Sequence, residues 1–395
     1  MPEQTPFHER TSALCKSYSW KEWAGYYAVG HYNMCHSTEY MAFRYSAGLL
    51  DVSPLFKYDV RGKDAASFLS RIMTRNVHKI KENQVSYSCW TDDEGKILDD
   101  GTVMHLGENF YRVTAAAPTY DWLARHARGV DVTVEDVSAK ICALAIQGPQ
   151  SKNILKAASD AEIDKLKFFR ATQAKIDGVP VTITRTGYTG DLGYEVWTEN
   201  ANALKLYDAI TGEGKNYGLQ PAGLDALDMT RIEAGFILAD IEYFAAKDCM
   251  IESRKNSPYE IGLGWTVHLN RDPFIGQEAL RREKAEGSPV TLVGLEMDWV
   301  ELESLCERYN LPPQLGSGAS REGLPIYSGG EQIGKATSST FSPILKKYIA
   351  LGSVRTEYAE LGTEMQIEYT LEYERHTITA RVVKMPFFDP ERKKL

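Results

Sequence analysis

The chain has 395 residues and carries 54 acidic against 45 basic side chains, a formal net charge of −9, which argues against nucleic acid as its main partner. At roughly 150 residues per domain the length suggests two or three domains. The N-terminal MPEQTPFHERTSALCKSYSW is charged where a signal peptide needs an apolar run, and no apolar segment approaches the ~20 residues of a membrane span, so a soluble cytoplasmic protein without membrane contact is expected.

The first elements are unusually aromatic. Trp20, Trp23, Tyr26, Tyr27, Tyr32, Tyr40, Phe43 and Tyr45 fall in one short span, and such density must be buried or line a pocket. From Phe56 to about Ala127 the pattern predicts strand-like FKYDVRG, a helix over Asp64 to Ile80, then strands around VSYSCW, ILDDGTVMHL and FYRVTAAA. Phe68, Leu69, Ile72 and Val77 would share the buried side of that helix. Strands separated by a helix imply a mixed α/β unit, about residues 52–130. Asp92, Asp93, Glu94 and Gly95 read as a hairpin turn of solvated acids. Asp99 and Asp100 instead interrupt a strand, so their side chains leave on opposite faces and one can look into a cavity.

Between Val130 and Leu204 strand signals dominate, in VTVEDV, KICALAIQGP, GVPVTITRTGY and LGYEVW. Helices follow in ALKLYDAITG and GLDALDMTRIEAGF, the second opening at Gly223 and Asp225. The segment SPYEIGLGWTVHLNRDPFIGQEALRREKAEG is expected to pass from strand to helix, with a domain break near residue 288 that divides the chain into 1–288 and 289–395. Beyond it, short strands punctuated by Gly, Pro and Ser imply a small all-β barrel or sandwich. Trp299 to Gln314 would interrupt it as a polar, partly helical insertion on the surface, and no internal repeat is present. The class is α+β.

Chemistry concentrates in RTGYTGDLGYEVW, Arg185 to Trp197. Gly187, Gly190 and Gly193 recur at every third position, a spacing that fits neither the dinucleotide turn nor the phosphate loop. A side-chain-poor turn delivering Tyr188 and Glu195 suits a flat heterocycle that approaches the backbone closely. The six cysteines, Cys15, Cys35, Cys89, Cys142, Cys249 and Cys306, form no CxxC pair, which predicts reduced thiols and no metal site. Cys35 and His36 are neighbours, but on a strand they would point to opposite faces. His31 and His36 read as structural histidines, and Asp240 and Glu242 as members of a solvated loop.

Seven segments in order carry a wider pattern: GLLDVS, GKILDDGTV, AIQGPQS, RTGYTGDLGYEVW, PAGLDALDMTRIEAG, GLGWTVHLNRDPFIGQEAL and SSTFSPILKKYIALGSV. Together they resemble the aminomethyltransferase family, which includes the glycine cleavage T-protein and folate-dependent demethylases, and the resemblance covers nearly the whole chain. It implies a three-lobed, cloverleaf-like molecule of two mixed α/β folate-binding subdomains and a C-terminal all-β barrel, with tetrahydrofolate bound near the centre. In that resemblance Asp100 faces the reactive edge of the folate, Glu195 grips the pterin, and Tyr188 and Tyr87 lie near the same pocket. A carboxylate that accepts adjacent pterin N–H donors would form charge-assisted bonds, and Asp100 would stabilise charge developing at N5 and relay the released proton.

The chain also departs from the T-protein pattern. Asp51-Val52-Ser53-Pro54-Leu55-Phe56 replaces the usual DVSHMG, Leu227 stands at the arginine of GARD, and Thr114-Ala115 replaces Asn-Ala, which makes Thr114 a candidate folate contact. Arg271 stands where relatives often have lysine and could contact the folate tail. These changes favour a demethylase-type relative moving a methyl group from a small onium, N-methyl or O-methyl donor to tetrahydrofolate. Trp20, Tyr27 and Tyr32 are candidate donor-binding rings, since aromatic faces hold cations. The alternatives are a T-protein served by a lipoyl carrier protein, or a non-enzymatic folate-binding scaffold; the scaffold relatives carry KGCYxGQE where this chain has NRDPFIGQEAL. The absence of GxGxxG argues against a flavin oxidase half.

Overall fold

The computed structural model describes residues 1–313 and 318–394. Its strands assemble into four sheets. A three-stranded sheet joins Glu3–Gln4, Tyr26–His31 and Ser19–Trp23, flanked by helices His8–Leu14 and Ser37–Tyr45. Five strands form the second sheet in the order Gln84–Thr91, Ile97–Gly107, Phe110–Ala115, Phe56–Arg61 and Thr133–Asp136. Six form the third: Ala171–Ile176, Val179–Thr184, Gly193–Glu199, Ile141–Gln147, Ala47–Asp51 and Leu219–Pro221. A closed six-stranded barrel, Val290 to Val383, completes the fold, and closure removes the edges on which an open sheet would aggregate. Mixed α/β units followed by an all-β barrel are the architecture the sequence implied.

Each large sheet has its own core. On the five-stranded sheet, helix Ala65–Ile72 buries Ala65, Phe68, Leu69 and Ile72 against Tyr58, Val103 and Val113. On the six-stranded sheet, helices Ser151–Ala158 and Ala203–Gly214 bury Ile154, Leu155, Leu206 and Ile210 against Leu144, Ile146 and Val196. A third apolar cluster joins the two sheets. Val85 and Met104 of the first meet Leu50, Ala143, Ala145 and Trp197 of the second, with Leu227 and the partly buried Trp23, Leu55 and Tyr188 closing around them.

Three sequence expectations are corrected. The helix expected over Asp64 to Ile80 stops at Ile72, because Met73 turns extended and Thr74 pairs with the carbonyl of Cys89; a short 3-10 turn, Val77–Lys79, follows. The stretch from Ser257 to Gly276 contains no strand; Pro258 and the glycines break it into loops around the turn Gly264–Thr266. The polar insertion is no loose surface excursion, since helix Trp299–Arg308 places Leu302, Leu305 and Cys306 in the barrel core; its last residue, Gln314, lies outside the described residues. Among the described residues no helix is long and apolar enough to cross a membrane.

The barrel is tied to the rest through buried charge. Arg231, on helix Leu224–Glu233, bonds Asp228 at 2.8 Å, Glu242 at 2.8 Å and the barrel hydroxyl of Ser338 at 2.7 Å. Glu233, the last residue of the same helix, accepts from Arg44 Nε at 2.9 Å, from Ser342 at 2.5 Å and from Tyr40. Every partner in this set is buried, so the ions satisfy one another in a medium where an unpaired charge would be costly. Glu242 therefore belongs to a buried network and not to a solvated loop.

Candidate functional site

The two carboxylates singled out in the sequence lie on sheet faces that meet. Alternation puts Asp100, Thr102 and Met104 on one face of Ile97–Gly107, and their partners Cys89, Tyr87 and Val85 share it. On the other sheet, Glu195 pairs with Ala145 and Trp197 with Ala143, so Glu195 leaves on the face that carries those three residues into the joining cluster. Asp99 goes the other way, as expected. It is buried and accepts from the amides of Asp100 and Ala117 and from the Thr119 hydroxyl, at 2.8, 2.9 and 3.3 Å.

Asp100 is held at both oxygens. Tyr87 donates its hydroxyl to Oδ2 at 2.6 Å, and Tyr243 donates to Oδ1. Burial pushes the Asp100 carboxyl above the ordinary carboxylate range against the opposing pull of these two hydroxyls. Asp99 is also raised, first by burial and then by the neighbouring Asp100 charge, because two carboxylates so close in a poorly solvated site resist double ionisation. The phenols of Tyr87 and Tyr243 are in turn pushed up by burial and by Asp100 and so remain protonated donors. Tyr243 was not singled out in the sequence. It reaches Asp100 from a loop far downstream, next to residues that resemble ordinary loop acids.

Glu195 Oε2 accepts from Thr186 at 2.7 Å and Thr184 at 3.4 Å. Among the described residues Oε1 has no hydrogen-bond partner, and burial raises the carboxyl above its ordinary range. A desolvated carboxylate with a free oxygen is a ready acceptor for ligand N–H groups.

The glycine motif works differently from the expected close approach to a heterocycle. A Cβ at Gly187 would fall 1.9 Å, and one at Gly193 2.1 Å, from the side chain of Gln147. That buried amide fills the space, donating to the carbonyls of Thr186 and Tyr194 at 3.2 Å each and accepting from Thr189 at 3.0 Å. The glycines thus admit an internal clamp that fixes the turn carrying Tyr188 and Glu195. Tyr188 spends its hydroxyl on the carbonyl of Ile237 and stacks on Phe236 at 5.4 Å, which leaves its ring as the surface offered to the cluster. Thr114 faces Thr102, with their hydroxyls 2.7 Å apart, on the Asp100 side of the sheet.

The remaining candidates lie elsewhere. Trp20 and Tyr27 close on His8 at 5.0 and 6.5 Å, and Tyr32 is buried with Cys15 and Val29. Trp20 packs against the small core around Tyr32 while Tyr27 stays exposed at its edge, whereas Trp23 reaches the joining cluster. His31 bonds Asp225 at 2.6 Å, and His36 stands near it with its imidazole pushed toward the neutral form by burial. Arg271 spends its guanidinium on the carbonyls of His268, Ser70 and Met73 and lies over the ring of Phe274. It has little capacity left for a ligand. Among the described residues no three His, Cys, Asp or Glu side chains converge as a metal site.

Two family models match the chain: the GCVT N-terminal domain over residues 7–271 and the glycine cleavage T-protein C-terminal barrel domain over residues 312–389. The chain is 36% identical over 335 residues to an aminomethyltransferase of Caldanaerobacter subterraneus subsp. tengcongensis, covering 84% of this chain and 83% of the relative. It is 36% identical over 355 residues to that of Halothermothrix orenii, covering 88% and 90%. The crystal structure of glycine cleavage system aminomethyltransferase T from Bartonella henselae superposes with a TM-score of 0.83 at 25% identity, covering 98% of this chain and 99% of that one.

Proposed function

The chain belongs to the aminomethyltransferase family, and we propose that it transfers an aminomethyl carbon from a lipoyl-bearing carrier protein to tetrahydrofolate in the cytoplasm, where its free cysteines stay reduced. It is an enzyme of the one-carbon transferase kind. The observation that carries the reading is the pair of desolvated carboxylates on facing sheets, Asp100 gripped by two tyrosines and Glu195 with one oxygen free. The reading is supported by the names of the aminomethyltransferase relatives, matched along most of both chains, over the methyl donor that the sequence departures favoured.

The donor set fits a tetrahydropterin. Adjacent N–H groups of the pterin edge suit Glu195 Oε1, with the remaining capacity of Oε2 beside it. Tetrahydrofolate would supply the N5 lone pair that bonds to the one-carbon unit, and closing the 5,10-methylene bridge would break that carbon's bonds to sulfur and to nitrogen, returning the carrier's thiol and releasing ammonia. Asp100 stabilises the positive charge that develops as that bond forms, and takes up the proton the amine loses. Tyr87 and Tyr243 hold the carboxylate in one rotamer, so no reorganisation is needed at the moment of reaction. Leu227, Met104, Leu55 and the Tyr188 ring keep water from the charges, which strengthens each interaction.

A second reading, transfer of a methyl group from a small onium, N-methyl or O-methyl donor, is favoured by Leu227. It puts an apolar wall in the joining cluster at the position where the T-protein pattern has arginine. Incubation with tetrahydrofolate and either an aminomethyl-lipoyl carrier or a panel of methylated donors separates the two. The first reading expects 5,10-methylenetetrahydrofolate with the carrier alone, and the second 5-methyltetrahydrofolate with a methylated compound. Absence of turnover on every donor would refute both.

A further inference from the structure

A small cavity lies where the N-terminal lobe meets the six-stranded sheet. Thr11, Tyr27 and Tyr32 line it from the lobe, and Leu50, Asp51 and Leu224 from the other side. Its volume of about 10 Å³ admits one guest the size of a water molecule. Leu50 and Leu224 also belong to the joining cluster beside the two carboxylates, so one layer of apolar side chains separates this cavity from the reaction site. Tyr27 is 37% exposed and puts the cavity within reach of solvent.

Asp51 brings a charge that the fold does not answer. Its Oδ1 accepts from the Ser53 amide at 2.9 Å, and burial raises the carboxyl against the opposing pull of the Thr5 and Ser53 hydroxyls and of Lys57. Lys57, however, spends its ammonium on the carbonyls of Ser53 and Leu55 at 2.7 and 2.6 Å, and among the described residues no cation lies within ion-pairing distance of Asp51. The Tyr32 phenol is buried and pushed up by that burial and by the neighbouring Tyr207 and Asp51, and its oxygen has no hydrogen-bond partner among the described residues. Thr11 donates its hydroxyl to the carbonyl of His8 at 3.3 Å, which leaves the oxygen lone pairs to accept. The positive end of helix Leu224–Glu233 is already answered by Glu39, which accepts from the Gly223 amide at 2.8 Å. Three acceptor oxygens around a water-sized space, one of them on an unanswered carboxylate, suit a guest that carries only donors and one positive charge.

We propose that this cavity binds the ammonium ion formed from the nitrogen that leaves the reaction. The inference rests on the aminomethyl reading, in which the one-carbon unit loses its bond to nitrogen, and it deepens that reading by naming where the product is held: among Asp51, Tyr32 and Thr11, behind Leu50 and Leu224. Ammonia is small and neutral and can cross an apolar layer. Once it takes a proton from water beside Asp51, charge retains it, and it cannot return to the reaction site without giving that proton up.

The test has a binding arm and a kinetic arm. Thermal unfolding of wild type, Asp51→Asn and Tyr32→Phe is followed in ammonium, potassium and sodium chloride at equal ionic strength; ammonium is expected to raise the wild-type midpoint above the other two salts, and Asp51→Asn to abolish the difference. The reverse reaction, from 5,10-methylenetetrahydrofolate, ammonium and the dihydrolipoyl carrier, then gives KM for ammonium. It should rise about tenfold in Asp51→Asn and about threefold in Tyr32→Phe, the scales of one charge-assisted and one neutral hydrogen bond, with turnover at saturating ammonium and tetrahydrofolate affinity within about twofold of wild type. Equal midpoints in the three salts, or an unchanged KM in a folded Asp51→Asn protein, would mean that the cavity holds a water molecule only and would overturn the inference. Ammonium-selective stabilisation without any reverse reaction would overturn the aminomethyl reading and the product role with it, and leave the ammonium site standing.

Discussion

Glu195 offers the sharpest test of how the acceptor is held. In the free protein Oε2 already takes two threonine hydroxyls, whereas Oε1 takes none from the described residues, so a bound pterin gains one full charge-assisted bond and shares in a second. Such bonds contribute about 1.5–3 kcal/mol each when the carboxylate is desolvated beforehand. Their joint loss in Glu195→Ala should cost about 3 kcal/mol, a weakening on the order of a hundredfold. Glu195→Gln, which keeps one acceptor oxygen but loses the charge, should fall between the two. The fold should tolerate both changes, because the Thr184 and Thr186 hydroxyls lie 2.6 Å apart and can satisfy each other, and because burial already disfavours the ionised carboxyl. Titration calorimetry with tetrahydrofolate gives the affinity, and thermal unfolding checks the fold. An affinity within twofold of wild type in a folded Glu195→Ala protein would remove Glu195 from the site.

Further outcomes follow from the same geometry. Asp100→Asn should lower turnover by about 10²-fold or more while tetrahydrofolate affinity stays within a few-fold, as single-turnover kinetics and calorimetry can show. Because burial raises the Asp100 carboxyl, wild-type turnover should fall on acidification at a pH above the ordinary carboxylate range. Tyr243→Phe removes a donor that stabilises the ionised form and should move this limb to still higher pH; a limb that stays in place would argue against the contact. Arg44→Met should destabilise by about 3–5 kcal/mol in urea unfolding, since it leaves the buried Glu233 without its cation. Lys57 is buried, donates to the carbonyls of Ser53 and Leu55 at 2.7 and 2.6 Å, and is pushed down by burial from 10.5 to about 8. Its folded form sheds the proton first, so stability should rise with pH between those values, by about 3 kcal/mol at ~1.4 kcal/mol per pH unit. Lys57→Met should lack that rise when the two proteins are compared at each pH.

The sequence by itself determined the elements whose signals are local. Period-two strands fixed Ile97–Gly107 and sent Asp99 and Asp100 to opposite faces, and the Asp92–Gly95 turn closed the hairpin as expected. Short strands punctuated by glycine and proline announced the barrel, and ordered motifs along the chain carried the family. Tertiary structure decided which polar groups meet. Tyr243 is separated from Asp100 by 143 residues, and Glu242 looks solvated until Arg231 and Ser338 close around it. Gly187 and Gly193 read as room for a ligand until the amide of Gln147 fills that space. Backbone periodicity is encoded within a few residues and can be read there. Hydrogen-bond satisfaction is a property of the assembled interior, where every buried donor must find an acceptor from whichever part of the chain packing delivers.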